Sequence, residues 1–530
     1  MAVEGASSEP VTEPAHGALA RPRGLGLVER ALIALAVVAL AGFFPWFPPL
    51  QSPNELTRVY LASALVEDGA VSIEGPIQRW GPIFDVSVRD GRPYSDKAPG
   101  VAFLAAPVIA AYDALADEPT LDGRVRLTRL VCATIPTVLL LFWMFGFLAE
   151  HLPDRGLRLA LVAAYTFGTV ATAYANLAFG HQLSAVTLFG LFLLIRRLSD
   201  ARGAPLPTRR RLVAIGLVTG FAVWVEYQNV LLLLPLAGFF VWRTRRALPR
   251  SLAWAALGAA GPVLVLAAYH QAAFGAPWLT GYSFIASSFK EVHAQGLLGV
   301  ALPKASHAFL SFLSPAKGLF FFAPWLALAL LGLPLAWRRG GEGRVLVVVV
   351  VLYALFVTSL VYPVGGWTVS QRHLTPMVPF LVLPVGLAVK RLGTPLRVAF
   401  AGLAVAAIAI CGVSAIVWPH YQEHLHNPFF QLGWPLFRDG WVPPSIFSTL
   451  GVDGWTAALL VLSLGASAAL LGSVASIGAG LRGRAWLRAG AVIAAIALAS
   501  LYLELASLPG RSQDVVRDRQ WVESIYPKED

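Results

Sequence analysis

The stretch PYSDKAPGVAFLAAPVIAAYDAL, Pro93 to Leu115, decides how this chain is threaded. An acid and a base, Asp96 and Lys97, stand side by side, a Pro99–Gly100 step follows, and an apolar run begins. That run is short for a membrane crossing, which takes about 20 apolar residues. It also contains Pro107 and ends in the acidic YDALADEPTLD. Whether it crosses fixes the sidedness of every segment after it.

The rest of the chain leaves no doubt about the solvent. Of 530 residues, 57% are hydrophobic and 13% charged, with a mean hydropathy of +0.65. A water-soluble globule cannot hide that much apolar surface, and long apolar runs recur throughout. The net charge of +11 therefore reports loop orientation rather than a nucleic-acid partner. Cys132 and Cys411 lie inside apolar runs without metal-ligand spacing, so neither a disulfide frame nor a metal site is expected. Residues 1–29 are polar, with Pro, Glu and Ser, and lack the plan of a signal peptide; a disordered cytoplasmic tail is expected there.

Basic connectors assign the cytoplasmic side: RPRGLGLVER, RRLSDARGAPLPTRRR, WRTRRALPR, WRRGGEGR, KRLGTPLR and LRGRAWLR. From Arg211 onward the apolar runs pair out and back between them. Before that, Ala31–Phe47 crosses once and four runs precede the basic loop at Arg196. An even number cannot return the chain to the cytoplasm. The run that fails is Val101–Leu115, read as a re-entrant or interfacial segment, which is tolerated where protein covers its backbone. Thirteen spans result, with the N-terminus inside and the C-terminus outside. On this threading 24 of 41 Lys and Arg lie in the short cytoplasmic segments, and 22 of 30 acids lie outside. The expected architecture is an all-α polytopic bundle in the cell (inner or plasma) membrane, with long outer loops over 48–129, 271–317 and 419–453. Loops of this length are more often functional than idle, so chemistry is expected on the extracytoplasmic face.

The first outer loop opens with SPNELTRVYLASALVEDG, where Leu56, Val59, Tyr60, Ala64 and Leu65 recur at helical spacing. An amphipathic helix lying on the membrane is expected, with Glu55 and Arg58 on one face. Ser52 and Glu55 have the spacing of a capping box, a purely structural use of Glu55. RDGRP reads as a turn between FDVSV and PYSDK, which brings Asp85 near Asp96 across a hairpin. Lys97 also suits a plain interfacial anchor. Further on, GHQLSA puts His181 at the outer end of a span, and WVEYQN puts Glu226 at an outer turn, where a carboxylate is costly without water or a partner. PVGGWTVSQRHLTP carries Arg372 and His373 after two glycines, which suits close approach of an anion or a tight turn.

In order and placement these pieces resemble the GT-C superfamily of membrane glycosyltransferases, closest to the branch with protein O-mannosyltransferases and the lipid A aminoarabinose transferase. Members open the first loop on an acidic pair followed by Arg; here it reads NELTR, Asn54 to Arg58, with the first acid replaced by an amide. Their Lys-bearing step into an interfacial helix reads YSDKAPG, Tyr94 to Gly100, and their next outer acidic position falls at His181. The likeness covers most of Ala31 to Pro379. It implies a GT-C-like catalytic module over 30–418 including the outer loop 48–129; the threading adds an outer loop and C-terminal transmembrane helices over 419–506 and an extracytoplasmic tail over 507–530.

It also implies a hexosyl or pentosyl transfer, with inversion, from a polyprenyl-phosphate-linked sugar to a hydroxyl on a protein, lipid or polysaccharide. No cofactor or metal is expected: there is no Asp-x-Asp. On this resemblance Lys97 neutralises the donor phosphate with help from Arg58 and Arg372. Base candidates are Glu55, then Asp85, then Asp96, while Asn54, Tyr94, His181, Glu226 and His373 contact substrate. A transporter or flippase for a lipid-linked or polyol substrate is the competing reading. It predicts related halves and helices broken at mid-membrane, and no such repeat is visible in the sequence.

Overall fold

Apolar residues dominate the helices, and helices are the open-chain way to satisfy backbone polar groups within a bilayer. The computed structural model describes residues 25–44, 47, 52–198, 206–286, 289–296, 299–477, 485–510, 515–526 and 528. Residues 1–24 of the tail expected over 1–29 lie outside this set, as do parts of two basic connectors at 199–205 and 478–484.

Among the described residues, seven helical stretches are long and apolar enough to cross a membrane, and shorter apolar helices accompany them. The protein is a multi-pass membrane protein. Each of the thirteen runs contains a helix. The run after Lys97 is also helical, Gly100–Leu115, 16 residues long. At 1.5 Å per residue that is about 24 Å, less than the roughly 30 Å hydrocarbon core.

Small residues set how closely the helices pack. A Cβ on Gly216 would stand 1.9 Å from the Ala255 carbonyl oxygen, and one on Gly258 would stand 2.1 Å from that of Val213. Arg209–Val225 and Leu248–Phe274 therefore pack backbone against backbone along that seam, as small-residue faces permit in membranes.

Ion pairs collect at both ends of the bundle. Helix Gly180–Arg196 has His181 at one end, and at the other Arg196, bound to Glu150 (2.6 Å) and Glu342 (2.5 Å). Glu29 pairs with Arg155 at the same end as Arg196. The first helix accordingly begins at Leu27 rather than after residue 29, because Glu29 is held by that partner.

Three other expectations change. The helix Pro53–Ser63 does not lie on a surface with one free face: every residue from Asn54 to Ser63 is buried. Helices Gly100–Leu115 and Leu121–Arg129 and the hairpin cover it. Nor does a capping box form, since the Ser52 side chain makes no cap hydrogen bond and the Glu55 carboxylate is used elsewhere. The segment after 507 holds a further helix, Val516–Ile525. Its Trp521 meets Trp367 and Trp418 edge to face at 5.6 and 5.7 Å, and Tyr526 stacks on Phe47 at 5.2 Å.

Candidate active site

The hairpin forms where the alternation and the Asp90–Gly91 turn ask for it. β1 (Val86–Arg89) pairs antiparallel with β2 (Arg92–Ser95) in the register Val86↔Ser95, through a turn with positive φ at Asp90 (51°) and Gly91 (76°). One step beyond Val86↔Ser95, Asp85 and Asp96 come together, and Lys97 Nζ lies 2.9 Å from one carboxylate and 2.8 Å from the other. Burial alone would lower the Lys97 pKa, but the two flanking carboxylates hold it above the ordinary lysine range. Burial raises the Asp96 pKa, and the Asp85 charge adds to it against the pull of Lys97. Asp96 Oδ1 has no hydrogen-bond partner.

The second outer loop docks on this hairpin. Ser87 Oγ donates to the Gly281 carbonyl at 2.6 Å, and the Ala286 N–H donates to Val86 O at 3.1 Å. Tyr282 is thereby brought within the field of Lys97 and Asp96.

Gly100 explains the step that follows Lys97. Its absent Cβ would stand 2.5 Å from the Trp224 carbonyl carbon and 2.7 Å from the Val225 nitrogen. Only glycine lets the end of helix Arg209–Val225 pass so close, and Glu226 comes next in that chain. Arg58 reaches across from Pro53–Ser63 and donates Nη2–H to Glu226 Oε1 at 2.7 Å, both side chains buried. The Glu226 carboxylate in turn lies over Gly180, where a Cβ would meet Oε1 at 2.3 Å. His181 is the next residue.

Glu55 takes a separate course. Arg129 grips it in a fork, Nε to Oε1 at 2.8 Å and Nη2 to Oε2 at 2.7 Å, and the Ala178 N–H donates to Oε1 at 2.6 Å. The Glu55 side chain is 0% exposed and that of Arg129 1%. Burial pushes the Glu55 pKa up, yet the guanidinium overcomes it and holds the carboxyl below its ordinary range. Buried His420 stands near the pair, its pKa lowered to about 4, chiefly by burial.

The fourth group comes from the glycine turn. Gly365 (φ 72°), Gly366 (83°) and Ser370 (54°) all adopt left-handed backbone, which folds the loop tightly ahead of Arg372. Buried Lys317 holds it from outside, donating to Gly366 O (2.9 Å), Thr368 O (2.8 Å) and Thr368 Oγ1 (3.0 Å), while Ser370 Oγ donates back to Lys317 O (3.0 Å). The Arg372 guanidinium stacks on Phe179 at 5.6 Å, its Nε has no hydrogen-bond partner, and among the described residues it has no acid partner. His373 faces His181 edge to face, ring centroids 5.0 Å apart. Lys97 and Arg372 both lie within electrostatic reach of that pair.

The structure thus gathers Arg58, Asp85, Asp96, Lys97, His181, Glu226, Arg372 and His373 at one end of the bundle. Tyr94 packs its ring on Phe274 at 5.9 Å instead, in the core under the hairpin. Asn54 is buried with Oδ1 unpartnered. Arg129, Gln228, Lys317 and His420 were not singled out from the sequence. Arg129 and Lys317 carried a signal nonetheless: each is a cation at the start of an apolar run that the threading expects on the side where cations are disfavoured.

The fold has a solved counterpart. Over 91% of its length the chain superposes on 75% of the apo form of ArnT from Cupriavidus metallidurans, with a TM-score of 0.52 and 14% sequence identity. This is a GT-C fold. The undecaprenyl-phosphate-bound form of the same protein matches over the same shares at 14% identity, with a TM-score of 0.43. No protein-family model and no curated protein matches the sequence. The GT-C fold is thus carried by a sequence whose likeness to ArnT lies in architecture rather than in residue identity.

Proposed function

We propose that this protein is a membrane glycosyltransferase that moves a hexose or pentose from a polyprenyl-phosphate donor to an acceptor hydroxyl on the extracytoplasmic face. The observation that carries the reading is the gathering, on a GT-C fold, of three cations and three carboxylates at one end of the bundle. Two of the cations are already neutralised, Lys97 by Asp85 and Asp96 and Arg58 by Glu226. Among the described residues Arg372 has no such partner, so an incoming lipid phosphate meets it first. A lipid phosphate near this boundary gains about 4 kcal/mol from a cation at 4 Å, against about 1 kcal/mol in water.

Lys97 then exchanges one carboxylate for a phosphate oxygen, and the carboxylate it gives up becomes the base. Asp85 is the first candidate, because burial and the neighbouring charge already bias Asp96 towards its protonated form. The acceptor oxygen attacks the anomeric carbon, the bond from that carbon to the phosphate oxygen breaks, and the electron pair leaves with the lipid phosphate. The hydroxyl proton passes to Asp85, with inversion at the anomeric carbon. Glu55, closed inside its fork with Arg129, has no face open to an acceptor and serves to fix the first loop.

The deciding experiment offers purified protein radiolabelled polyprenyl-phosphate sugars. Wild type transfers label, and Lys97→Ala loses transfer while remaining in the membrane. Transfer retained in Lys97→Ala returns that lysine to an anchoring role. Wild type that transfers no label from any lipid-phosphate sugar ends the reading.

A further inference from the structure

Between the facing histidines stands one carboxamide. Gln228, in the turn just after Glu226, brings Nε2 to 3.4 Å from His181 Nδ1 and Oε1 to 3.2 Å from His373 Nδ1. An amide has one donating and one accepting end. As drawn, Gln228 donates to His181 Nδ1, so His181 is neutral with its proton on Nε2. His373 donates from Nδ1 to Gln228 Oε1, so its Nε2 keeps a lone pair when the ring is neutral. Turning the amide over exchanges the two assignments and never makes them alike. Among the described residues, no protein group hydrogen-bonds either Nε2 atom.

We infer that Gln228 sets opposite tautomers in His181 and His373, so that their Nε2 atoms offer one donor and one acceptor to neighbouring hydroxyls of the sugar being moved. The inference rests on the proposed glycosyl transfer for its ligand, but not for its tautomers. Placement supports it. His181 follows Gly180, under the Glu226 carboxylate that Arg58 holds, and His373 follows Arg372. The pair therefore sits beside the cations assigned to the donor phosphate, where the attached sugar must lie. Gln228 and His373 are only partly buried, which leaves the bridge and one ring approachable, while His181 lies deeper at 3% exposure. A histidine pair present only for packing would have no use for a bridge that makes its two members different.

Two measurements test this. Nitrogen-15 NMR of histidine-labelled wild type, with His181 and His373 assigned by single substitution, reads the tautomers directly and needs no activity. One ring protonated at Nδ1 and the other at Nε2 is expected; like tautomers overturn the inference. The second compares binding of undecaprenyl phosphate with and without an attached hexose or pentose, in wild type and Gln228→Glu. A carboxylate only accepts, so it draws Nδ1–H from both rings and leaves two acceptors. The ratio of the two affinities, in which repulsion between the new carboxylate and the shared phosphate cancels, is expected to fall at least tenfold. An unchanged preference in Gln228→Glu overturns the assignment to sugar. Opposite tautomers together with no sugar preference in wild type refute the proposed donor and leave the role of Gln228 in setting the tautomers standing.

Discussion

Replacing Glu55 by Gln is the sharpest perturbation the structure offers. Glu55 and Arg129 are 0% and 1% exposed and share two hydrogen bonds of 2.8 and 2.7 Å. Breaking a buried pair by removing one charge costs about 3–5 kcal/mol, because the remaining charge is left uncompensated. In Glu55→Gln the amide oxygen still accepts from the Ala178 N–H, but an NH2 group now faces the guanidinium, so the full cost is expected. Replacing both partners with apolar residues of similar size removes the stranded charge, and the Ala178 N–H left without its acceptor costs about 1–3 kcal/mol. Thermal denaturation in detergent, followed by size-exclusion chromatography, should therefore place Glu55→Leu/Arg129→Met between wild type and either single variant. The Glu55 carboxyl is held below its ordinary pKa, so the pair's contribution is complete above that range and is lost as the pH falls through the lowered value. Acid should accordingly destabilise wild type more than the apolar double variant. A Glu55→Gln protein that melts like wild type refutes the structural role. A folded double variant that transfers no sugar restores Glu55 as the chemical base.

Two further outcomes follow from geometry already given. Gly100→Ala drives a methyl group into the Trp224–Val225 backbone, where there is no flexible side chain to yield; a loss of about 1–3 kcal/mol should appear as a lower melting temperature and accompany weakened transfer. Lys317, buried among neutral oxygens with Glu423 and Arg372 as its charged neighbours, has its pKa lowered to about 7, chiefly by burial. Below that pH it is protonated whether folded or unfolded; above it the folded form binds fewer protons than the unfolded chain. Wild-type stability should therefore rise by up to about 1.4 kcal/mol per pH unit between pH 7 and 9. Lys317→Met should show a flatter melting profile over that range, and an identical slope would contradict the charged cage.

What the sequence revealed and what it concealed divide along chain separation. The hairpin, the meeting of Asp85 with Asp96 and the helical step after Gly100 are set by residues within a few positions of one another, and alternation and turn chemistry made them readable. The partners of Glu55 and Arg58 lie 74 and 168 residues away, so no local pattern announced them. Without those partners, Pro53–Ser63 read as a helix with a wet face. Once both charges are paired inside the protein, that helix can be buried on every side. The helix Val516–Ile525 was missed for a related reason: it is short and polar, and what fixes it is aromatic contact with distant segments.

Those contacts bear on how the protein is made. Phe47, just past the first helix, stacks on Tyr526, whose hydroxyl donates to the Val417 carbonyl at 3.3 Å, while Trp521 rests on Trp367 in the glycine turn that leads to Arg372. Contacts of such long sequence separation cannot form until their last member has been synthesised. The helices between Leu27 and Ser507 must therefore enter the bilayer with this corner still open. The aromatic seal waits for Trp521 and Tyr526, so a nascent chain halted before Trp521 would hold its helices in the bilayer with the turn that presents Arg372 not yet braced.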